Sequence, residues 1–482
     1  MKKINESWCI TNNGYPVDDS EVKRYISVTP SERQLRFLEM KYYNFIHFGI
    51  NTVYDREWGD GKEDISRFNP KKLDTDQWCR ILKDTGSKGV IITAKHHDGF
   101  CLFDTAYTDH SVMNTPFGKD IVKMLSESCK KYGLKLGIYL SPWDRHEKTY
   151  GTDKYNDYFV SQLTELCTNY GEIFCFWFDG ACGEGENGKK QVYDWERYYS
   201  VIRKYHPEAV ITICGPDVRW IGNEGGRVRE SEWSVIPGES DSNELIAENS
   251  QTDKNQTKKM AEKLDDRTED LGSRQILKNY SKLVFKPAEA DVSVNRGWFH
   301  TRNIFSYAKK GRTPEQLAEI YFNTVGGNAS MLLNVPPNRH GLIGKSEEKR
   351  LRKFTKLITE PFKNEAEILS FSALSVEGEK RELSGTAMLK DDEAGYVLTL
   401  REKKNISALT FCEELSYSQR TEAFRIYVKD ETGEWTSVYE GTVIGSGKIV
   451  RLKNSAYTDE IAVIITQSRS NPVLKDIKIY TN

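Results

Sequence analysis

Short apolar runs alternate with longer amphipathic stretches from residue 43 to about residue 360, and few folds accept that rhythm. The runs are YNFIHFGI (43–50), GVIITAK (89–95), KLGIYLS (135–141), EIFCFWFD (172–179), AVITICG (209–215), ADVSV (290–294) and MLLNVPP (331–337). Helical periodicity fills the gaps. In DIVKMLSESCKKYG (120–133), Ile121, Met124, Leu125 and Cys129 recur at helical spacing, and Gly133 is placed to cap the end. YFVSQLTELCTNYG (158–171) repeats the pattern. Strands that are apolar on both faces and separated by helices imply a parallel sheet covered by helices. An open doubly wound sheet and a closed barrel both satisfy this. Two features favour a (β/α)8-like barrel. An eighth strand can be read in RVRESEW (227–233), and polar residues cluster where many strands end: His47, Lys95 to Asp98, Ser141 to Asp144, Asp179 and Asn334. Barrel enzymes build their sites at that end.

After TEPF (359–362) the texture changes to alternating strands with polar turns, such as AFRIYVKD, WTSVYEGTVI and DIKIYTN. The expected architecture is therefore α/β: a catalytic barrel over residues 1–360 and a C-terminal antiparallel β-sandwich over 361–482. The tail is read as a packing partner of the barrel rather than a glycan binder. Residues 241–280 are rich in Asp, Glu, Lys, Asn and Gln, and read as a solvated loop with some helix inserted in the barrel.

Charge excludes several functions. The 69 basic and 71 acidic residues nearly cancel, so no field is available for nucleic acid or an anionic membrane. No segment approaches 18 unbroken apolar residues, so no membrane span is expected. The nine cysteines are scattered, without a CxxC pair, and read as buried reduced thiols. With no apolar signal stretch in MKKINESWCI, they favour a cytoplasmic location, which a trimmed signal would change to a secreted or periplasmic one. Oligomeric state is not specified by any of these features.

The chemistry-bearing residues gather at the strand ends. AKHHDGF (94–100) places His96, His97 and Asp98 together, as metal ligands, sugar hydrogen-bonders or a structural knot. A barrel metal site usually takes His-x-His, which keeps both rings on one face, and that spacing is absent, so no metal or other cofactor is expected. His47 ends a strand at the same side. Glu57 and Trp58, in REWGDG (56–61), suit bonding to and stacking on a neutral polyol, as do Tyr139 and Trp143 in YLSPWD (139–144). Asp179 closes an apolar run and is followed by Gly180. It is either a helix-cap residue or a nucleophile or base, and Trp177, two residues earlier, shares its side of the strand. Cleaving a glycosidic bond needs a second carboxyl group. The candidates are Glu184, Asp217, Glu224, Glu230, Glu232, Glu289 and Asp291, and spacing does not choose among them.

HFGINTVYDREWGDG, TAKHHDGFCLFDTAYTDHSV, GIYLSPWDR, FWFDGACGEG and PAEADVSVNRGWFH together resemble the α-L-fucosidases of glycoside hydrolase family 29, over residues from about 40 to 340. RWIGNEGG and the first and fourth segments resemble the branch that prefers α-1,3/1,4-linked fucose in Lewis-type glycans. The resemblance implies a retaining double displacement in a (β/α)8-like barrel followed by a β-sandwich, and fucosylated oligosaccharides and glycoconjugates as partners. It implies Asp179 as nucleophile and Glu224 as acid/base, about 5–5.5 Å apart. Fucose contacts carry over to His47, Glu57, His96, His97, Tyr139, Trp177 and Arg219, with Trp298 as an apolar wall. Two alternatives stay open: a glycoside hydrolase with another sugar preference, and a non-catalytic glycan-binding protein on the same barrel.

Overall fold

The computed structural model describes residues 20–251, 264–265, 267–303 and 310–482. The first ten strands are β1 (Tyr42–Ile46), β2 (Gly89–Lys95), β3 (Lys135–Leu140), β4 (Ile173–Phe178), β5 (Val210–Ile213), β6 (Arg219–Trp220), β7 (Val235–Pro237), β8 (Leu283–Phe285), β9 (Ala288–Ser293) and β10 (Ala329–Asn334). Eight of them form one parallel sheet in the order β5-β4-β3-β2-β1-β10-β9-β6. A bridge between Thr212 and Val218 draws the two ends of that order together, so the sheet is a nearly closed barrel. β1, β2, β5, β9 and β10 are buried along their whole lengths, as strands with a filled interior and a helical coat must be.

The helices follow from local chemistry. Helix Ile121–Tyr132 starts where the Asp120 side chain accepts from the Lys123 N–H, and ends at Gly133, whose φ of 63° puts it in the left-handed region. A residue with a Cβ would be strained there, while glycine is not. Its buried face carries Ile121, Val122, Leu125 and Cys129. Met124, expected on that face, is only half-buried at its edge.

The eighth strand is not where the pattern put it. RVRESEW (227–233) contains no strand, and the sheet position is taken by Arg219–Trp220. Arg229 and Glu232 instead turn into a buried ion cluster with Arg219, so their side chains do not alternate across a sheet. Two residues are also too few for a period-two signal. The expectation for 241–280 needs a similar change. Helices Asn243–Gln251 and Arg274–Leu277 are present, and Ile246, Leu271 and Leu277 are buried. The segment docks on the C-terminal domain through Arg274, which pairs with Glu422 at 2.7 Å. Residues 252–263 and 266 of this segment lie outside the described residues.

The tail contains β11 (Ile368–Ser375), β12 (Lys380–Glu382), β13 (Ala387–Met388), β14 (Glu393–Glu413), β15 (Thr421–Lys429), β16 (Trp435–Gly441), β17 (Lys448–Ser468) and β18 (Val473–Thr481). β14 and β17 are each 21 residues long. They pair over 395–399 with 460–464, and again over 408–411 with 448–451, with register breaks between. Both strands therefore bend and serve both layers of a sandwich, around a core that includes Tyr396, Leu398, Leu409, Phe424, Ile461 and Val463. The sandwich touches the barrel where Lys448 bridges to Gly327 and where Arg451 pairs with Glu319 at 2.8 Å.

Candidate active site

The carboxyl ends of the barrel strands surround a cavity of about 420 Å³. Period two explains much of its lining. Along β1 and just beyond, Tyr43, Phe45 and His47 face inward, and at the end of β4 so do Trp177 and Asp179. Phe45 lies beneath the site, edge-on to Trp177 at 5.1 Å and to Tyr139 at 6.0 Å. Asp179 stands one residue past β4. Its Oδ2 accepts a 2.9 Å hydrogen bond from the Tyr139 hydroxyl and its Oδ1 a 2.8 Å bond from the Ala181 N–H. Tyr139 keeps its proton, because burial and then the Asp179 charge raise its pKa well above the usual phenol value. The apolar run can end on a charge because two donors meet it there.

Three histidines complete that side. Burial lowers His47 to about 3, and lowers His96 and His97 as well, so these rings are neutral at physiological pH. Their tautomers follow from their partners. Ser141 donates its hydroxyl proton to the Trp143 carbonyl at 2.6 Å, so it can only accept from His97 Nδ1 at 2.7 Å. Asn334 donates its amide to the Trp298 carbonyl, so its Oδ1 accepts from His47 Nδ1 at 3.0 Å. The rings of His47 and His97 are each left with Nε2 as an acceptor. For His97 that nitrogen lies 3.8 Å from Asp179 Oδ2.

The opposite wall is carried by loops. Glu57 Oε2 accepts from the Trp298 N–H at 2.7 Å and from the Phe299 N–H at 3.3 Å, which fixes Trp298 against the ring of His47 at 5.1 Å. Burial raises the Glu57 pKa in spite of those bonds. Trp58 is 49% exposed and meets His97 and Trp143 edge-on, each at 5.5 Å. Glu224 sits in the loop after β6. As a whole the residue is exposed at the mouth, but protein atoms crowd its carboxyl. That desolvation, with the charges of Asp179 and Glu57, raises its pKa, and a hydrogen bond with Trp298 and the Arg312 charge offset part of the rise. Ten of the eleven expected site residues line this one cavity: His47, Glu57, Trp58, His96, His97, Tyr139, Trp177, Asp179, Glu224 and Trp298. Arg219 does not. It is fully buried, paired with Glu232 and donating to the Trp233 carbonyl at 2.9 Å, so its charge is spent on the fold. No cluster of three or more His, Cys, Asp or Glu arranged to hold a metal occurs among the described residues.

Neutral imidazoles, aromatic walls and two carboxyl groups suit a neutral, hydroxyl-rich ligand, and comparison with known proteins agrees. Residues 39–360 match the α-L-fucosidase family model. The chain is 35% identical to α-L-fucosidase 1 of Arabidopsis thaliana over 94% of its own length and 87% of the relative's. The chain belongs to the α-L-fucosidase family, glycoside hydrolase family 29. Solved structures share the fold. One from Bacteroides ovatus, assigned as an α-L-fucosidase, superposes with a TM-score of 0.82 at 39% identity, covering 97% of this chain and 77% of that one. A Ruminococcus gnavus family 29 fucosidase in complex with fucose gives 0.77 at 25% identity, with 98% of each chain covered. The enzyme is thus a glycoside hydrolase.

The fucosidase cavity also uses another of the candidate acids, Asp291, and residues to which the sequence reading attached no role. Trp220, Asp291, Arg296 and Ile213 line it. Asp291 Oδ1 accepts from the Trp220 indole at 2.7 Å, and Glu289 Oε1 accepts from the Trp177 indole at 2.7 Å. Two buried acids thus each hold one tryptophan. Their spacing in PAEADVSV, two residues apart on one strand, was the available signal, since it places both on the same face of β9. Ile213 had no such signal. Its φ of 65° is rare for a β-branched residue, and it is maintained by the bond from its N–H to the Val218 carbonyl at 3.1 Å.

Proposed function

We propose that the enzyme releases α-1,3/1,4-linked L-fucose from Lewis-type branched glycans by double displacement with retention. The observation that carries this is the contrast between two carboxyl groups on one cavity. Asp179 accepts one hydrogen bond on each oxygen, while Glu224 has its pKa raised by desolvation and neighbouring charge. Such a pair divides into nucleophile and acid. Asp179 attacks the anomeric carbon as the glycosidic bond breaks, and Glu224 gives its proton to the departing oxygen. A covalent fucosyl-enzyme results. Glu224 then takes a proton from water, the water oxygen bonds to the anomeric carbon, and the Asp179 carboxylate leaves. The acceptor nitrogens of His47 and His97 suit sugar hydroxyls, and Trp298 suits the C6 methyl that distinguishes fucose from other hexoses.

Asp179→Asn is expected to abolish turnover while keeping the fold, and a fully active variant would reject the assignment. Proton NMR during the first turnovers should show the α-anomer of fucose first. Lewis a and Lewis x trisaccharides should be hydrolysed well ahead of 2′-fucosyllactose, and the reverse order would overturn the linkage assignment. No disulfide joins the eight cysteines among the described residues, which supports a cytoplasmic location that cell fractionation can check.

A further inference from the structure

A second, larger cavity of about 1330 Å³ opens beside the first and shares Trp220, Glu224 and Arg296 with it. It exceeds the usual 300–1,000 Å³ of small-ligand sites. Three parts of the chain enclose it: the loop over 222–230, helix Pro314–Val325, and the sandwich through Tyr439, Lys448 and Ile449. Its walls carry six cations, Arg227, Arg229, Arg267, Arg296, Arg312 and Lys448, against three carboxylates, Glu224, Glu230 and Glu319. Several of these charges are committed. Arg229 pairs with Glu232 at 3.2 Å, Arg312 donates to the Asn295 carbonyl at 2.7 Å, and Glu319 pairs with Arg451.

Lys448 is different. It is only 7% exposed, yet among the described residues its ammonium makes no hydrogen bond or ion pair. Its neighbours are the Phe424 ring, 5.9 Å away, and the charge of Glu230, which favours the ammonium. Burial lowers its pKa to about 8. The charge of Glu230 opposes that burial only in part, and an anion in the cavity would offset the remainder. Arg227, exposed on the facing loop, likewise has no hydrogen bond or ion pair from its guanidinium among the described residues. Glu224 joins the two cavities, so with Glu224 as the acid the second cavity lies where the departing glycan must go.

We propose that this cavity binds the leaving glycan and that Lys448 and Arg227 select leaving glycans bearing a carboxylate or a sulfate. The sandwich then contributes directly to specificity. The inference rests on Glu224 being the group that faces the departing oxygen.

The test compares kcat/KM for Lewis x trisaccharide and for its 3′-sialylated and 3′-sulfated forms, in wild type, Lys448→Met and Arg227→Gln. The wild type is expected to prefer at least one anionic form by about fivefold, the scale of a partly screened charge pair. The preference should fall towards one in both variants, and in wild type at about 0.5 M salt. The sialylated and sulfated arms distinguish the two sources of charge. A wild-type ratio at or below one, or a preference that survives both substitutions, overturns the proposal. Arg227 is exposed, so its variant keeps the test valid if Lys448→Met fails to fold. If no trisaccharide is cleaved while an aryl fucoside is, the linkage reading has failed. The cavity is then tested by inhibition of aryl fucoside hydrolysis with 3′-sialyl- and 3′-sulfo-N-acetyllactosamine against the neutral disaccharide. Tighter inhibition by either anionic form supports the proposal, and equal inhibition overturns it.

Discussion

Glu289 offers a quantitative test of how the cavity is supported. It is fully buried beneath the site, accepting from the Trp177 indole at 2.7 Å and from the Tyr43 hydroxyl. Burial lifts its pKa from 4.5 to about 7, against the pull of those two hydrogen bonds. A carboxyl whose folded pKa lies above its unfolded value holds its proton more tightly in the folded state. Its contribution to stability is therefore full below pH 4.5 and is lost as pH rises towards 7. At 1.36 kcal/mol per pKa unit the whole loss is about 3 kcal/mol, most of which falls between about pH 5 and about pH 8. Glu289→Gln removes the titration and keeps the shape. The amide oxygen can accept from Trp177 while its NH2 donates to Tyr43, whose hydroxyl can reverse its role. The variant should therefore gain about 2–3 kcal/mol relative to wild type on going from about pH 5 to about pH 8. At about 2 °C per kcal/mol for a chain this large, the difference in Tm between variant and wild type should grow by roughly 5 °C. Thermal melts of both proteins at the two pH values measure it. A Tm difference that does not change with pH, or that falls as pH rises, would show that Glu289 does not hold its proton more tightly in the folded enzyme.

Other perturbations test the reacting groups and their support. Glu224→Gln should lower kcat/KM for a trisaccharide by about 10²–10⁴-fold, the range of general acid catalysis, but should cost an aryl fucoside with an acidic leaving group far less. Equal losses on both substrates would remove Glu224 from that role. Trp298→Phe deletes a donor that favours ionised Glu224, so the Glu224 pKa should rise and the alkaline limb of kcat/KM should move to higher pH. A shift to lower pH would contradict that arrangement. Lys95→Met should destabilise the enzyme by about 3–5 kcal/mol, because it strands Asp144, which is fully buried and paired with Lys95 at 2.8 Å. Adding Asp144→Asn should restore part of that loss in the same melt, and no recovery would mean that the pair is not the cause.

The parts of this fold that could be read from the chain are those with a repeating physical cause. Parallel strands buried on both faces make long apolar runs, and Asp120 and Gly133 bracket a helix by simple capping chemistry. At the site, Asp179 was visible because a lone acid after IFCFWF breaks an apolar run, and Trp177 because it lies two residues earlier. β6 was invisible for the opposite reason. Two residues carry no period, and its neighbours spend their charge on one another.

Arg219 shows most clearly where sequence reading stops. It lies next to Trp220, which lines the cavity, and five residues before Glu224, and a cation in that position reads naturally as a sugar ligand. On a strand, however, neighbouring side chains face opposite ways. With Trp220 turned inward to Asp291, Arg219 must turn outward, where Glu232 and the Trp233 carbonyl receive it. The same alternation that sends Arg219 out of the cavity also builds the site. Glu289 and Asp291 share the inner face of β9, and each holds an indole that would otherwise bury an unpaired N–H. The cavity is therefore shaped by acids that need not touch the sugar. Changing Asp291 should displace Trp220, and with it the loop that presents Glu224, before it alters any bond to fucose.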